Sequence, residues 1–284
     1  MIQVKNVTKK YGDFYAVRNI SFSIEEGEIV GFLGCNGAGK TTTMNMLTGF
    51  IEPTKGTIAI NGMDIETKPK NVKSLIGYMP EGVPLYSDLT VKEFISYMAD
   101  LKMISKTIKK EAIEKVLNQI GLKQVENKLI RNLSRGYKQR ASLAGALVGD
   151  PKILILDEPT VGLDPKQVVE IRDLIKSLRK NHTVILSSHI LSEVSQICEK
   201  VIIIDKGEIV AIDTPENLEQ TTEEKTLEDA FIKIVEKRPE LSADEIETIE
   251  LKKEIKELEQ EKETKKKNKK ARKNNKEEKN DSNN

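Results

Sequence analysis

Two groups of residues in this chain have the types and spacing that chemistry on a phosphate chain requires. The first is Gly34-Cys35-Asn36-Gly37-Ala38-Gly39-Lys40-Thr41, with Thr42 following, which fits the pattern G-x-x-x-x-G-K-[ST]. A phosphate chain is best held by several converging backbone N–H groups, and glycines let the backbone come close. The lysine of such a loop reaches the outer phosphates, and the hydroxyl after it supplies a Mg²⁺ ligand. The second group is Ile153-Leu154-Ile155-Leu156-Asp157-Glu158, an apolar run that ends in two carboxylates. Ligands of open α/β sheets bind outside the carboxyl ends of the strands. There Asp157 can hold Mg²⁺ through water, and Glu158 can polarise an attacking water.

The elements that must position these groups can be read from the apolar pattern. Glu28 to Leu33 is a strand-sized run leading into the glycine loop, and a helix should follow from Lys40. The first 80 residues otherwise read as strands and turns, with Asn61-Gly62 as a hairpin turn. Residues 85–150 read as a helical insertion. Thr90 and Glu93 have capping-box spacing, Leu89 and Phe94 fit a hydrophobic staple, and Val91, Phe94, Ile95, Met98 and Leu101 share a face. A second helix carries Ile113, Val116, Leu117 and Ile120, and a third starts near Ser134. Asp164-Pro165 opens a helix with Val168, Ile171, Ile175 and Leu178 on its buried face. Val184 to Leu186, Val201 to Ile204 and Glu208 to Ile212 are further strands. Strands alternating with helices predict an α/β fold whose mainly parallel sheet is covered on both faces.

Composition narrows the setting. The 284 residues carry 46 Lys and Arg against 45 Asp and Glu, a net charge of +1, which argues against a whole-surface nucleic-acid binder. Aromatics are 4%, so the core must be aliphatic. Two cysteines and no secretory signal predict a reducing cytosolic setting. No apolar run approaches the roughly 20 residues of a membrane span, so work on a membrane would require another chain to supply the spans. The balance conceals a shift. Residues 251–284 hold 13 Lys and Arg against 8 Asp and Glu, net +5, and beyond Leu258 the only apolar residue is Ala271. Such a segment is expected to be disordered. Ahead of it, Ile246, Ile249, Leu251, Ile255 and Leu258 fit a short amphipathic helix, with a linker around Lys237 to Ala243. The Lys-rich tail has three readings: a solvated extension, attraction to anionic lipid, or RNA binding. His182, in the polar run Lys180-Asn-His-Thr, reads as a loop residue, and Cys198 as a core residue. Neither histidine lies at metal-ligand spacing from a cysteine or acid, so no zinc site is expected.

Between the two phosphate-site groups lies Leu133-Ser-Arg-Gly-Tyr-Lys-Gln-Arg140, which resembles the signature motif of ATP-binding-cassette (ABC) ATPases, usually L-S-G-G-Q-Q-Q-R. With Val161-Gly-Leu-Asp164 after Glu158, and His189 after a strand, the resemblance covers about residues 1–215. It implies a phosphate-loop NTPase core, an N-terminal antiparallel β subdomain, the helical insertion, and a C-terminal helical segment over residues 216–240 ahead of the charged tail from residue 241. It implies ATP and Mg²⁺ as ligands, with adenine stacked on Tyr11, Glu81 near Mg²⁺ beside Thr41 and Asp157, and Glu158 and His189 acting on the attacking water. Ser134 and Gly136 are implied to contact the γ-phosphate held by a second ATPase subunit, in a homodimer or heterodimer. A separate integral membrane permease is the implied partner, and the cytoplasmic face of the cell membrane the implied location.

Several residues depart from the family pattern. Glu81 stands where a glutamine is usual, which adds negative charge beside the phosphates. Arg135 and Tyr137 replace Gly and Gln in the signature. Cys35 replaces a common proline and is either a reactive thiol that ATP would protect or a spacer. The set Gly77-Tyr-Met-Pro-Glu81 and Thr226-Leu-Glu-Asp-Ala-Phe231 resemble bacterial export-type ATPases encoded apart from their permease. Two other readings are a soluble ABC ATPase acting on ribosomes or DNA, and a degenerate subunit of a heterodimer. A single cassette with no long coiled coil argues against the first, and retention of Lys40, Asp157, Glu158 and His189 against the second.

Overall fold

The structure is a computed structural model that describes residues 1–82 and 85–236. The expected linker, amphipathic helix and charged tail lie outside the described residues.

The apolar runs form strands because their side chains alternate between two cores. β3 (Ile29–Leu33) and β7 (Ile153–Asp157) are buried along their whole length, as is β8 (Thr183–Ser188). Leu33, Leu154, Leu156 and Leu186 face one core, which they share with Phe94, Leu117 and Leu143 of the helical insertion. Phe32, Ile153, Ile155 and Ile185 face the other, with Ile2, Val4, Val17 and Ile58 of the N-terminal strands. A period of two with both faces buried is what a central parallel sheet requires.

Among the described residues this sheet has six strands. β6 (Ile76–Met79) and β10 (Glu208–Asp213) are its edges, and with β9 (Lys200–Asp205) the order is β10-β9-β3-β8-β7-β6. All pairings are parallel except β10 with β9. A second, antiparallel sheet has the order β2-β1-β4-β5, from β1 (Ile2–Tyr11), β2 (Phe14–Ile24), β4 (Lys55–Ile60) and β5 (Met63–Asp64). Asn61 and Gly62 both have positive φ, 50° and 71°, as the two-residue β4–β5 turn demands.

The helices begin where their caps place them. α1 (Lys40–Leu47) follows the glycine loop. α3 (Val91–Leu101) has the full capping box: the Glu93 N–H donates to Thr90 Oγ1, and the Thr90 N–H donates to Glu93 Oε2. α4 (Lys106–Gln119) and α5 (Arg135–Leu147) complete the insertion. α6 (Pro165–Leu178) is capped by Asp164, which accepts from the Gln167 N–H at 2.9 Å. α7 (Leu191–Ser195), α8 (Pro215–Thr222) and α9 (Leu227–Glu236) follow.

One expectation needs correction. The early region read as strands also contains a short helix, α2 (Pro69–Ser74); proline at its first position starts it, and only Val72 is buried, too little for a periodic signal. His182 lies in the loop before β8, as expected, but it is buried rather than solvated. It is 2% exposed, and its Nδ1 lies 2.6 Å from the Pro151 carbonyl, to which it donates. The chain enters β8 beside the start of β7, and that parallel pairing encloses the ring. Cys198 is buried as expected, and burial pushes its thiol well above the ordinary range.

Candidate active site

The glycine loop takes its shape from close backbone packing. A Cβ at Gly34 would sit 2.4 Å from the Ile204 carbonyl, and one at Gly39, whose φ is +106°, would sit 2.6 Å from the Ala16 carbonyl. Neither position can carry a side chain without moving backbone. Gly39 is the N-cap of α1 and provides no side-chain cap, so the first N–H groups of the helix have no such partner. Lys40 is buried, and its Nζ donates to the carbonyls of Gly34 at 2.7 Å and Cys35 at 3.2 Å. The ammonium therefore braces the loop from within. Ala38 is buried, while Cys35, Asn36, Gly37 and Thr41 are exposed and Thr42 partly so.

The loop opens on a cavity of about 500 Å³. Asn36, Gly37, Gly39, Lys40, Thr41 and Thr42 line it from the loop and α1. Tyr11 and Glu81 join from the ends of β1 and β6, and Glu158 and His189 from the ends of β7 and β8. Phe14 and Val161 also line it. Phe14 pairs with Tyr11 across the β1–β2 turn, which puts both exposed aromatics at one edge of the cavity.

The two strand-end carboxylates differ in their surroundings. Asp157 is 1% exposed; Ser187 Oγ donates to its Oδ1, and its Oδ2 has no hydrogen-bond partner among the described residues. A buried carboxylate oxygen without a donor is costly unless something fills that role. Asp157 also raises the Tyr78 hydroxyl, though burial is the larger cause, and the two together push it up to about 12. Glu158 has φ +50°, a left-handed conformation that costs a side-chain-bearing residue about 1–3 kcal/mol. Its N–H is held at Ser187, 3.0 Å from Oγ and 3.2 Å from the carbonyl. His189 Nδ1 lies 2.9 Å from Glu158 Oε2. An ionised carboxylate only accepts, so Nδ1 carries the hydrogen and Nε2 is left for another partner.

Ser134 and Gly136 are not part of this cavity. They line a separate one of about 460 Å³, with Tyr137, Asp164 and Gln167. Ser134 Oγ accepts from the Tyr137 N–H at 3.5 Å, so it serves as N-cap of α5. Ser187 was not singled out in the sequence, although a polar residue ending an apolar strand two positions before His189 was a usable signal. Phe14 carries no local signal, and Gln139 stands in the signature motif without marking its contact to the loop after Glu158.

Among the described residues no cluster of three or more His, Cys, Asp and Glu side chains would hold a metal by itself. Thr41 and Glu81 line the cavity and Asp157 Oδ2 is buried without a partner among the described residues; hydroxyl and carboxylate oxygens are the donor types that Mg²⁺ takes. Such a donor set suits an ion which keeps several waters and takes other ligands from substrate phosphates. Among the described residues no helix is long and apolar enough to cross a membrane.

A family model described as "ABC transporter" matches residues 17–161. Over 212 residues the chain is 43% identical to the bacitracin transport ATP-binding protein BcrA of Bacillus licheniformis, covering 74% of this chain and 68% of that protein. Over 209 residues it is 41% identical to the uncharacterized ABC transporter ATP-binding protein YxlF of Bacillus subtilis, covering 74% and 69%. Among solved structures it matches the dimeric post-hydrolysis state of an ATP-binding cassette bound to ADP and Pi. The TM-score is 0.68 at 28% identity, over 75% of this chain and 98% of that one. The mainly parallel sheet, the antiparallel sheet and the inserted helices are those of a phosphate-loop NTPase. By sequence and by fold, the chain belongs to the ABC transporter family and is an ATP-binding, ATP-hydrolysing subunit of a transporter.

Proposed function

We propose that this chain drives export through a separate integral membrane permease, at the cytoplasmic face of the cell membrane, as one of two ATPase subunits in a homodimer or heterodimer. The ATPase unit comprises residues 1–215, with the helical subdomain at 85–150. The observation that carries the reading is the division of the motifs. The phosphate loop, Glu158 and His189 converge on one cavity, while Ser134 and Gly136 line another. A signature motif that does not reach its own chain's phosphates requires a second subunit to supply them. The relative's name, bacitracin transport, favours a role in transport over a soluble role on ribosomes or DNA.

In this reading Tyr11 stacks on adenine, and the loop amides with Lys40 hold the β- and γ-phosphates. Lys40 exchanges its two carbonyl partners for phosphate oxygens. Thr41, Asp157 and Glu81 would hold Mg²⁺, which would supply neutralisation of phosphate charge. Glu158 takes a proton from the attacking water at its carboxylate. His189 orients that carboxylate through Nδ1 and presents Nε2 to the γ-phosphate. The start of α5, at Ser134 and Gly136, directs its N–H groups at the γ-phosphate bound by the second subunit. No nucleic acid is assigned as a partner.

Purification of the tagged chain in mild detergent, with mass spectrometry of what accompanies it, tests the proposal. A polytopic membrane protein is the expected companion. Ribosomal or DNA-repair proteins without a membrane chain would overturn it.

A further inference from the structure

The left-handed backbone at Glu158 survives only if the chain is held on both sides of it. On the N-terminal side the holder is β8, through Ser187. On the C-terminal side the loop Pro159–Gly162 is held by the signature helix of the same chain. Gln139 Nε2 donates to the Pro159 carbonyl at 2.5 Å, and Arg135 Nη2 donates to the Val161 carbonyl at 3.3 Å. The two side chains are four residues apart on α5 and so share one face. Between the two carbonyls, the Thr160 hydroxyl donates to Glu193 Oε2 at 2.6 Å. The Arg135 guanidinium lies flat against Gly162: a Cβ there would sit 2.0 Å from Nη2, and the φ of +69° independently favours glycine.

We propose that Arg135 and Gln139 are positioning residues for Glu158, and that they link the two hydrolysis sites of the dimer through a single chain. The inference rests on the assignments of Glu158 and of the two-subunit sandwich made above. α5 begins at the motif that meets the second subunit's nucleotide, and its first two turns grip the loop that sets the Glu158 carboxylate. Movement of that helix start on closure therefore carries Pro159 and Val161 with it. Arg135, which departs from the usual glycine of the motif, is in this chain a tether within the subunit and not an added ligand for the partner's phosphate.

The test uses the full-length chain and compares wild type with Arg135→Ala, Arg135→Lys and Gln139→Met. Loss of the tether is expected to lower kcat about tenfold while ATP KM stays within about twofold, and to bring the Hill coefficient for ATP toward one. Arg135→Lys should recover part of kcat, because lysine still donates to the Val161 carbonyl. In a Glu158→Gln background, Arg135→Ala should still form the ATP-dependent dimer on gel filtration. Wild-type kcat and Hill coefficient in both Arg135→Ala and Gln139→Met would overturn the proposal. Loss of the trapped dimer in the Glu158→Gln, Arg135→Ala double variant would overturn it in favour of a direct phosphate contact. Should Glu158→Gln alone hydrolyse ATP like wild type, the underlying assignment of Glu158 fails, and the tether with it.

Discussion

Two helices of this molecule begin at a candidate phosphate contact, and they are built in opposite ways. α1 starts from a glycine in a left-handed conformation, with no side-chain cap, on a loop whose glycines abut backbone from β2 and β9. α5 starts from a serine that caps its own helix and is gripped from outside by side-chain hydrogen bonds to the loop after β7. The first is a rigid cradle, because moving it means moving strands of both sheets. The second is an adjustable contact, because side-chain tethers can shift without unfolding anything. A subunit that must hold ATP firmly and also open and close against a partner needs one of each.

The largest effect that would sharpen this contrast is expected at α1. Lys40→Ala should weaken ATP binding by the isolated chain about a hundredfold, since a charge-assisted contact to the phosphates is lost. Titration with a fluorescent ATP analogue checks it. A variant that binds ATP as tightly as wild type would break the contrast at its stronger end. Next comes α5. Ser134→Ala should leave ATP affinity of the single chain unchanged, lower kcat about tenfold, and cost about 1 kcal/mol of stability through loss of the cap. Steady-state ATPase and thermal melts separate the two consequences; an affinity loss like that of Lys40→Ala would mean that both helix starts serve the same nucleotide.

A third effect, on stability alone and not on nucleotide chemistry, concerns the far end of α5. Lys102 Nζ donates to the carbonyls of Ala146 at 2.5 Å and Val148 at 2.9 Å, closing the C-terminus of that helix. Burial pushes the Lys102 ammonium down from 10.5 to about 8. Between those values the unfolded chain holds a proton that the folded chain does not, so this group makes stability rise with pH across that window. The burial penalty on the charge is present in full below about pH 8 and gone above about 10.5. The slope is up to about 1.4 kcal/mol per pH unit. Chemical denaturation of wild type against Lys102→Met from pH 7 to 10 should show the difference between them changing in that direction. A constant difference would show that Lys102 is solvated when folded.

Much of the candidate site is legible in the sequence because its instructions are local. The glycine loop needs particular residues at consecutive positions, the capping box needs Thr90 and Glu93 three apart, and an apolar strand announces itself within six residues. The burial of His182 is not legible from its polar sequence neighbours; its partner, the Pro151 carbonyl, lies 31 residues away. Ser187 ends an apolar run that is legible in the sequence, but its contact with Asp157 is set only by the pairing of β7 with β8. α2 escaped because six residues are too few for a periodicity.

What the sequence determined by itself was which groups are present: a glycine loop of phosphate-binding pattern, strand-end carboxylates, a histidine, and helices with their caps. These follow from backbone conformational preferences and side-chain period, which act over a few residues. What only the tertiary structure decided was who meets whom. The parallel register Asp157 to Ser187 sets Glu158 beside His189, and the packing of α5 on the loop after β7 ties Arg135 and Gln139 to that loop while keeping Ser134 out of the cavity. Such contacts arise from sheet order and helix packing, which minimise exposed apolar area over the whole chain and leave no trace in any short window of it.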